Sequence, residues 1–130
     1  MARVALDADL LIAFLDPGAA QHARAVEELR PRLTAGDELL ISATVYAEVI
    51  VRPLEQETVA TVDGFLDAAG VRFVPVDRAI ARRAAELRAE HKSLRLPDAI
   101  SLATALVSGA ALLTLDKKLT RTSQQVQRPD

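Results

Sequence analysis

The 130-residue chain has no cysteine and no tryptophan, one methionine and two histidines. Without a thiol there can be no disulfide, no thiolate nucleophile and no zinc–thiolate site, and the composition fits a reducing compartment. Two histidines also argue against a zinc–histidine set. Aromatic residues make up only 3%, which weighs against a platform on which bases stack. A basic excess is missing too. The formal net charge is −2, so no overall positive field draws the protein to nucleic acid or anionic lipid, and any contact with phosphates must be local. No apolar run has the length of a membrane span, since even residues 99–115 are interrupted by Ser101, Thr104, Ser108 and Gly109. At the start of the chain Asp7 and Asp9 would fall inside the apolar region of a signal peptide, so none is expected and the protein is expected to be cytoplasmic.

Half of the residues are hydrophobic, enough apolar side chain for one domain with a real core. Residues 4–6 read as a strand buried on both faces, followed by a helix over residues 10–15 with Asp9 as its N-cap. Val26, Leu29 and Leu33 recur at helical spacing, with Pro31 expected to end or kink that helix and Gly36 closing the segment. "ELLIS" is a second strand, and Ser42 is placed to cap a helix running to Arg52, before Pro53. Val59, Val62, Leu66 and Ala69 mark a further helix that Gly70 terminates. "VRFVPV" is a third strand, and Asp77 caps a helix on which Ile80, Ala84, Leu87 and His91 share a face. Pro97 and Asp98 open the uncharged helix "DAISLATALVS", Gly109 stops it, and "AALLTL" forms the fourth strand before a short basic helix beginning at Asp116. The division expected is a single domain over residues 1–120 and a polar C-terminal tail over 121–130. Strands alternating with helices call for a parallel sheet covered on both faces, with ligands gathering outside the carboxyl ends of the strands.

Four acids stand out against that frame. Asp7 follows the first strand and Asp116 the fourth, so both belong to that rim. Asp98 lies in a first helical turn, where the helix dipole alone would explain it, and Asp116 is equally a good cap. Glu48 sits in "VYAEVIV", past any first turn and among apolar neighbours, with Arg52 the single candidate for an ion pair on its own helix. Asp7 has no comparable excuse, since strand ends rarely need an acid, although it could cap the helix in place of Asp9, the more natural cap. The pair "DAD" therefore divides labour, Asp7 projecting to the rim and Asp9 supporting the loop and helix.

Taken in order, "LDADLLIAFLD", "SATVYAEVI", "RLPDAISLATAL" and "GAALLTLDKKL" resemble the PIN-domain ribonucleases, specifically the VapC-like toxins of bacterial type II toxin–antitoxin pairs. The resemblance implies a three-layer α/β/α sandwich around a mostly parallel sheet of four or five strands. Asp7, Glu48, Asp98 and Asp116 fall on the family's acidic positions, and Thr114 falls where a hydroxyl often supports the site. Asp9 stands where Asn or Ser is common, a departure that either adds charge beside a metal or keeps a capping role. The short polar stretch after Asp116 leaves little room for the last strand of many relatives.

Four carboxylates meeting at one rim cannot all stay charged unaided: at about 4 Å and an effective dielectric near 20, each ionised pair repels by roughly 4 kcal/mol. Mg²⁺ or Mn²⁺, which prefers oxygen ligands and keeps water, would relieve this. The resemblance thus implies metal-assisted hydrolysis of an RNA phosphodiester to 5′-phosphate and 3′-hydroxyl ends, with Asp7, Asp98 and Asp116 as direct or water-mediated ligands and Glu48 as a ligand or a positioner of water. Lys92 and Arg95 precede Asp98, and Lys117 and Lys118 follow Asp116, so these cations are candidates for holding RNA phosphates. A homodimer and a cognate antitoxin covering the site are implied as well, with an apolar groove expected on the helices at residues 10–15 and 45–54.

Two other readings compete. A noncatalytic PIN-like module would bind RNA or protein and keep the acids for structure. A haloacid-dehalogenase-like phosphatase would use Asp7 as nucleophile and Asp9 as general acid, but the match fails at Leu11 and no later acidic pair supports it.

Overall fold

The computed structural model describes residues 2–127. Four strands, β1 (Arg3–Leu6), β2 (Glu38–Ser42), β3 (Arg72–Val74) and β4 (Ala111–Leu113), form a single sheet in the order β3-β2-β1-β4, and all three pairings are parallel. The register sets Val4 beside Leu39 and Ala111, and Leu6 beside Leu113. Parallel neighbours need crossovers, and the helices supply them.

Alternation along the strands builds two cores, one on each face of the sheet. Val4, Leu6, Leu39 and Ile41 face α1 (Ala8–Leu15), α2 (His22–Ala35), α3 (Ala43–Val49) and α5 (Val59–Ala68), packing on Leu10, Leu29, Val45 and Leu66. Ala5, Leu40 and Val74 face the other way, onto Ile80 and Leu87 of α6 (Arg78–Glu90), Leu102 of α7 (Leu96–Val107) and Leu119 of α8 (Lys117–Gln127). The short α4 (Val51–Glu55) completes the set, giving the expected three-layer α/β/α sandwich with four strands among the described residues.

Local signals explain most element ends. Ser42 Oγ accepts from Val45 N at 3.0 Å and Asp77 Oδ1 from Ile80 N at 2.9 Å, so both act as the caps their positions suggest. Gly36 and Gly70, at φ of 70° and 67°, turn the chain through the left-handed region that a side chain resists.

Several expectations are corrected. Asp9 is not a cap: α1 begins two residues earlier than expected, at Ala8, Asp7 holds the N-cap position, and Asp9 lies in the first turn. Pro31 neither ends nor visibly divides α2, which continues to Ala35 because Leu29 is wholly buried and Leu33 packs on the same core. The helix expected to reach Arg52 stops at Val49 and restarts as α4, which places Pro53 in a first turn where a missing N–H costs nothing. His91 follows α6 as its C-cap residue instead of sharing its face. The segment read as a polar tail is helical through Gln127, anchored by buried Leu119 and Ser123 and by Gln127 Nε2 donating to Ala110 O at 2.7 Å. Residues 128–130 of that expected tail lie outside the described residues.

Leu40 lies in a central strand with no exposed surface. Leu40→Ala is expected to lower unfolding stability by about 2–5 kcal/mol through the lost methyl groups and the cavity left behind, read from denaturant melts.

Candidate active site

Strand order changes direction between β1 and β4: the chain goes from β1 to β2 and β3 on one side, and β4 lies on the other. Such a switch point opens a crevice at the carboxyl ends of the strands. Asp7 leaves β1 there, its N–H donating to Leu113 O at 3.0 Å, and Thr114, Leu115 and Asp116 leave β4 beside it.

Asp7 is 6% exposed, so it is a buried carboxyl and does not project from the rim as expected. Although it holds the N-cap position of α1, its side chain makes no cap bond. Its oxygens turn instead to two hydroxyls: Ser101 of α7 donates to Oδ1 at 2.8 Å and Thr114 donates to Oδ2 at 2.9 Å. Asp9 meets the same Thr114 hydroxyl at 3.1 Å and also accepts from Leu115 N at 3.3 Å, tying the chain after β4 to the first turn of α1. Thr114 has one hydroxyl proton for two carboxyls, and its oxygen accepts from Asp116 N at 3.2 Å. Asp116 caps α8 through bonds from Lys118 N and Leu119 N at 2.9 and 3.1 Å.

The electrostatics bring the remaining acids to the same place. Burial, and then the neighbouring Asp9 charge, push the Asp7 carboxyl from 3.8 up to about 6, against the opposing pull of the Ser101 and Thr114 hydroxyls. Partial burial raises Asp98, and Asp116 and Asp9 add to it, while the Arg95 guanidinium works in the other direction. Glu48 is raised in turn by partial burial, by Asp98 and by Asp9, again with Arg95 opposing. Asp9 thus acts on Asp7, Glu48 and Asp98, Asp98 acts on Glu48, and Asp116 acts on Asp98.

Glu48 has apolar neighbours, as its sequence context suggested, but they do not enclose it: it is exposed on α3. Arg52 pairs with Asp16 at 4.0 Å, and no Glu48–Arg52 bridge occurs among the described residues. Beside Glu48 runs an apolar groove of about 540 Å³ lined by Ile12, Leu15, Val49, Val51, Pro53 and Phe65, close to where the sequence suggested one.

Of the candidate phosphate-binding cations, Arg95 reaches Asp98 Oδ2 through Nε at 3.4 Å, and Lys92, Lys117 and Lys118 are exposed. Ser101 is the residue that sequence reasoning missed. Its signal was a hydroxyl three places after Asp98 in an otherwise alanine- and leucine-rich helix.

The donor set consists of carboxylates and hydroxyls, the hard oxygen ligands that Mg²⁺ and Mn²⁺ favour. Among the described residues no three acidic or histidine side chains stand close enough to enclose an ion by themselves.

The model of the PIN domain family matches residues 4–125, nearly the whole chain. The chain belongs to the PIN domain family. Its fold is similar to that of a toxin–antitoxin complex from Klebsiella pneumoniae, at 29% identity over 88% of each chain with a TM-score of 0.71. The sarcin–ricin loop cleaving toxin VapC20 of Mycobacterium tuberculosis is 19% identical over 91% of this chain and 93% of its own, with a TM-score of 0.70. FitAcB from Neisseria gonorrhoeae is 21% identical over 93% of both chains, with a TM-score of 0.69. No curated protein matches the chain by sequence. Membership of the PIN domain family sets aside the phosphatase reading of Asp7 and Asp9.

Because Asp7 binds its proton more tightly folded than unfolded, this group favours the folded state below pH 4 and loses that advantage as pH rises to about 6. The loss amounts to about 3 kcal/mol, and above pH 6 it is complete. In metal-free protein, the fall in stability between pH 4 and 6.5 is expected to be smaller in Asp7→Asn by an amount of that order. Parallel pH–stability curves for the two proteins would reject the assignment.

Proposed function

We propose that this PIN-domain protein is a Mg²⁺- or Mn²⁺-dependent ribonuclease and the toxin of a toxin–antitoxin pair. The observation that supports the reading is a chain of repulsions along the β1–β4 switch point: the Asp9 charge raises Asp7, Glu48 and Asp98, Asp98 raises Glu48, and Asp116 raises Asp98. Among the described residues the cation set against that negative charge is the largely exposed Arg95. In the proposed role Asp7, Asp98 and Asp116 hold a divalent cation directly or through water, and Glu48 holds or orients an attacking water. When bound, the cation would acidify water and offset charge on the scissile phosphate. Thr114 and Asp9 keep the β4 exit loop fixed against Asp7, so Asp116 and Asp7 stay in register. Lys92, Arg95, Lys117 and Lys118 hold flanking phosphates, and the scarcity of aromatics favours reading RNA by its shape and backbone.

The toxin role draws on the solved toxin–antitoxin complex and on the RNA-cleaving toxin of similar fold. An antitoxin segment with an apolar face suits the groove beside Glu48, where Ile12 and Val51 are 40% and 55% exposed. Homodimerisation belongs to the same reading. No helix among the described residues is long and apolar enough to cross a membrane.

The test is cleavage of end-labelled structured RNAs, the sarcin–ricin loop among them, over a range of Mg²⁺ and Mn²⁺ with EDTA as control. Cleavage is expected only with added cation. Asp98→Asn should slow it by at least about 100-fold, roughly 3 kcal/mol in the barrier. The same substitution should raise the melting temperature of the metal-free protein by relieving repulsion. Unchanged cleavage with lowered stability would make Asp98 a helix cap and leave the noncatalytic module as the better reading. For the cations, Lys117→Gln is expected to weaken RNA binding about equally across sequences and to reduce the salt slope of log K by about 1.

A further inference from the structure

Ser101 is 3% exposed in the middle of α7. A buried hydroxyl in a helix ordinarily returns its proton to the carbonyl four residues back, as Thr104 does to Ile100 O at 2.7 Å. Ser101 does otherwise. It donates across the fold to Asp7 Oδ1, joining residues 94 positions apart in sequence and pinning the end of β1 to α7. Helix stability alone would select alanine here, since alanine has the better propensity and buries no polar group, and Ala99, Ala103 and Ala105 already surround the position.

The geometry has a chemical consequence. Ser101 lies three residues after Asp98, so the two share a face of α7, and the same helix turn presents one carboxyl and grips another. With Ser101 on Oδ1 and Thr114 on Oδ2, each Asp7 oxygen has a hydroxyl partner, one from α7 and one from the stretch after β4, and turning the carboxyl plane would break these bonds. Each oxygen still has a second lone-pair direction to offer.

We propose that Ser101 is a positioning residue for the divalent cation: its hydroxyl fixes the Asp7 carboxylate relative to Asp98, so that both address one ion. The inference rests on the metal-dependent reading above. It concerns a residue that touches neither substrate nor cation and acts through Asp7.

The experiment measures Mn²⁺ affinity by titration calorimetry and melting temperature for the full chain, for Ser101→Ala and for Thr104→Val. Ser101→Ala removes one oxygen in an alanine-rich helix and is expected to fold with a melting temperature within a few degrees of wild type. Its Mn²⁺ affinity should fall about 10- to 100-fold, the usual effect of removing a group that orients a metal ligand. Thr104→Val removes a hydroxyl from the same helix without touching an acid, and should alter the melting temperature while leaving Mn²⁺ affinity unchanged. Wild-type affinity in Ser101→Ala, or an equal loss in Thr104→Val, would overturn the proposal and leave the metal-dependent reading intact. Absence of Mn²⁺ binding to the wild-type chain would overturn both.

Discussion

A carboxyl group buried as deeply as Asp7 would ordinarily take up a proton or find a cationic partner, and among the described residues neither lysine nor arginine pairs with it. It has two hydroxyls, from Ser101 on α7 and Thr114 after β4, and a second acid, Asp9, competing for the same Thr114 proton. Hydroxyls can hold a carboxylate in place, but they neutralise none of its charge. The result is a rigid and electrostatically uncomfortable group, raised towards neutral pH by burial and by Asp9. Rigidity without neutralisation is what a cation ligand needs, because the ion then supplies the missing charge at little reorganisation cost.

The sheet delivers the other acids to that group. A parallel order of β3-β2-β1-β4 leaves the β1 and β4 exits side by side, so the loops carrying Asp7 and Asp116 meet, and the bonds of Thr114 and Leu115 to Asp7 and Asp9 tie them there. Helix α7 packs on the β1 side through Ala99, Leu102 and Ala103 and so holds Asp98 over the same rim. Three helices, α1, α7 and α8, begin here, and the partial positive charge of their N-termini offsets some of the repulsion among Asp7, Asp9, Asp98 and Asp116. Glu48 comes from the other face of the sheet, on α3, and stands between this acidic rim and the apolar groove. The cation-dependent chemistry and the antitoxin contact proposed for this protein therefore share a border.

Much of the frame was legible because its signals are local. The caps at Ser42 and Asp77 and the turns at Gly36 and Gly70 depend on backbone hydrogen bonds and φ values within a few residues. The strands were legible as short apolar runs, since both faces of the sheet are covered. Pro31 misled because propensity was outweighed by the packing of Leu29 and Leu33, a tertiary term that no window of sequence contains. The polar segment after Asp116 misled for the same reason: its helix rests on only a few anchoring contacts, among them Leu119, Ser123 and the bond from Gln127 to Ala110.

The acids themselves were visible in the chain, because carboxylates within or at the ends of apolar runs are rare and call for an explanation. Their environments were not. Asp7 looked like a projecting group and is buried, Glu48 looked surrounded and is exposed, and Asp9 looked like a cap and is a tie between two loops. Sequence alone determined which residue types were available and the alternation of strand and helix that sends them to one rim, since both follow from composition and short-range periodicity. Only the tertiary structure decided which oxygen accepts from which hydroxyl, because Asp7 lies 94 and 107 positions from its partners Ser101 and Thr114 and comes within bonding distance of them only when the sheet closes its order and α7 docks upon it.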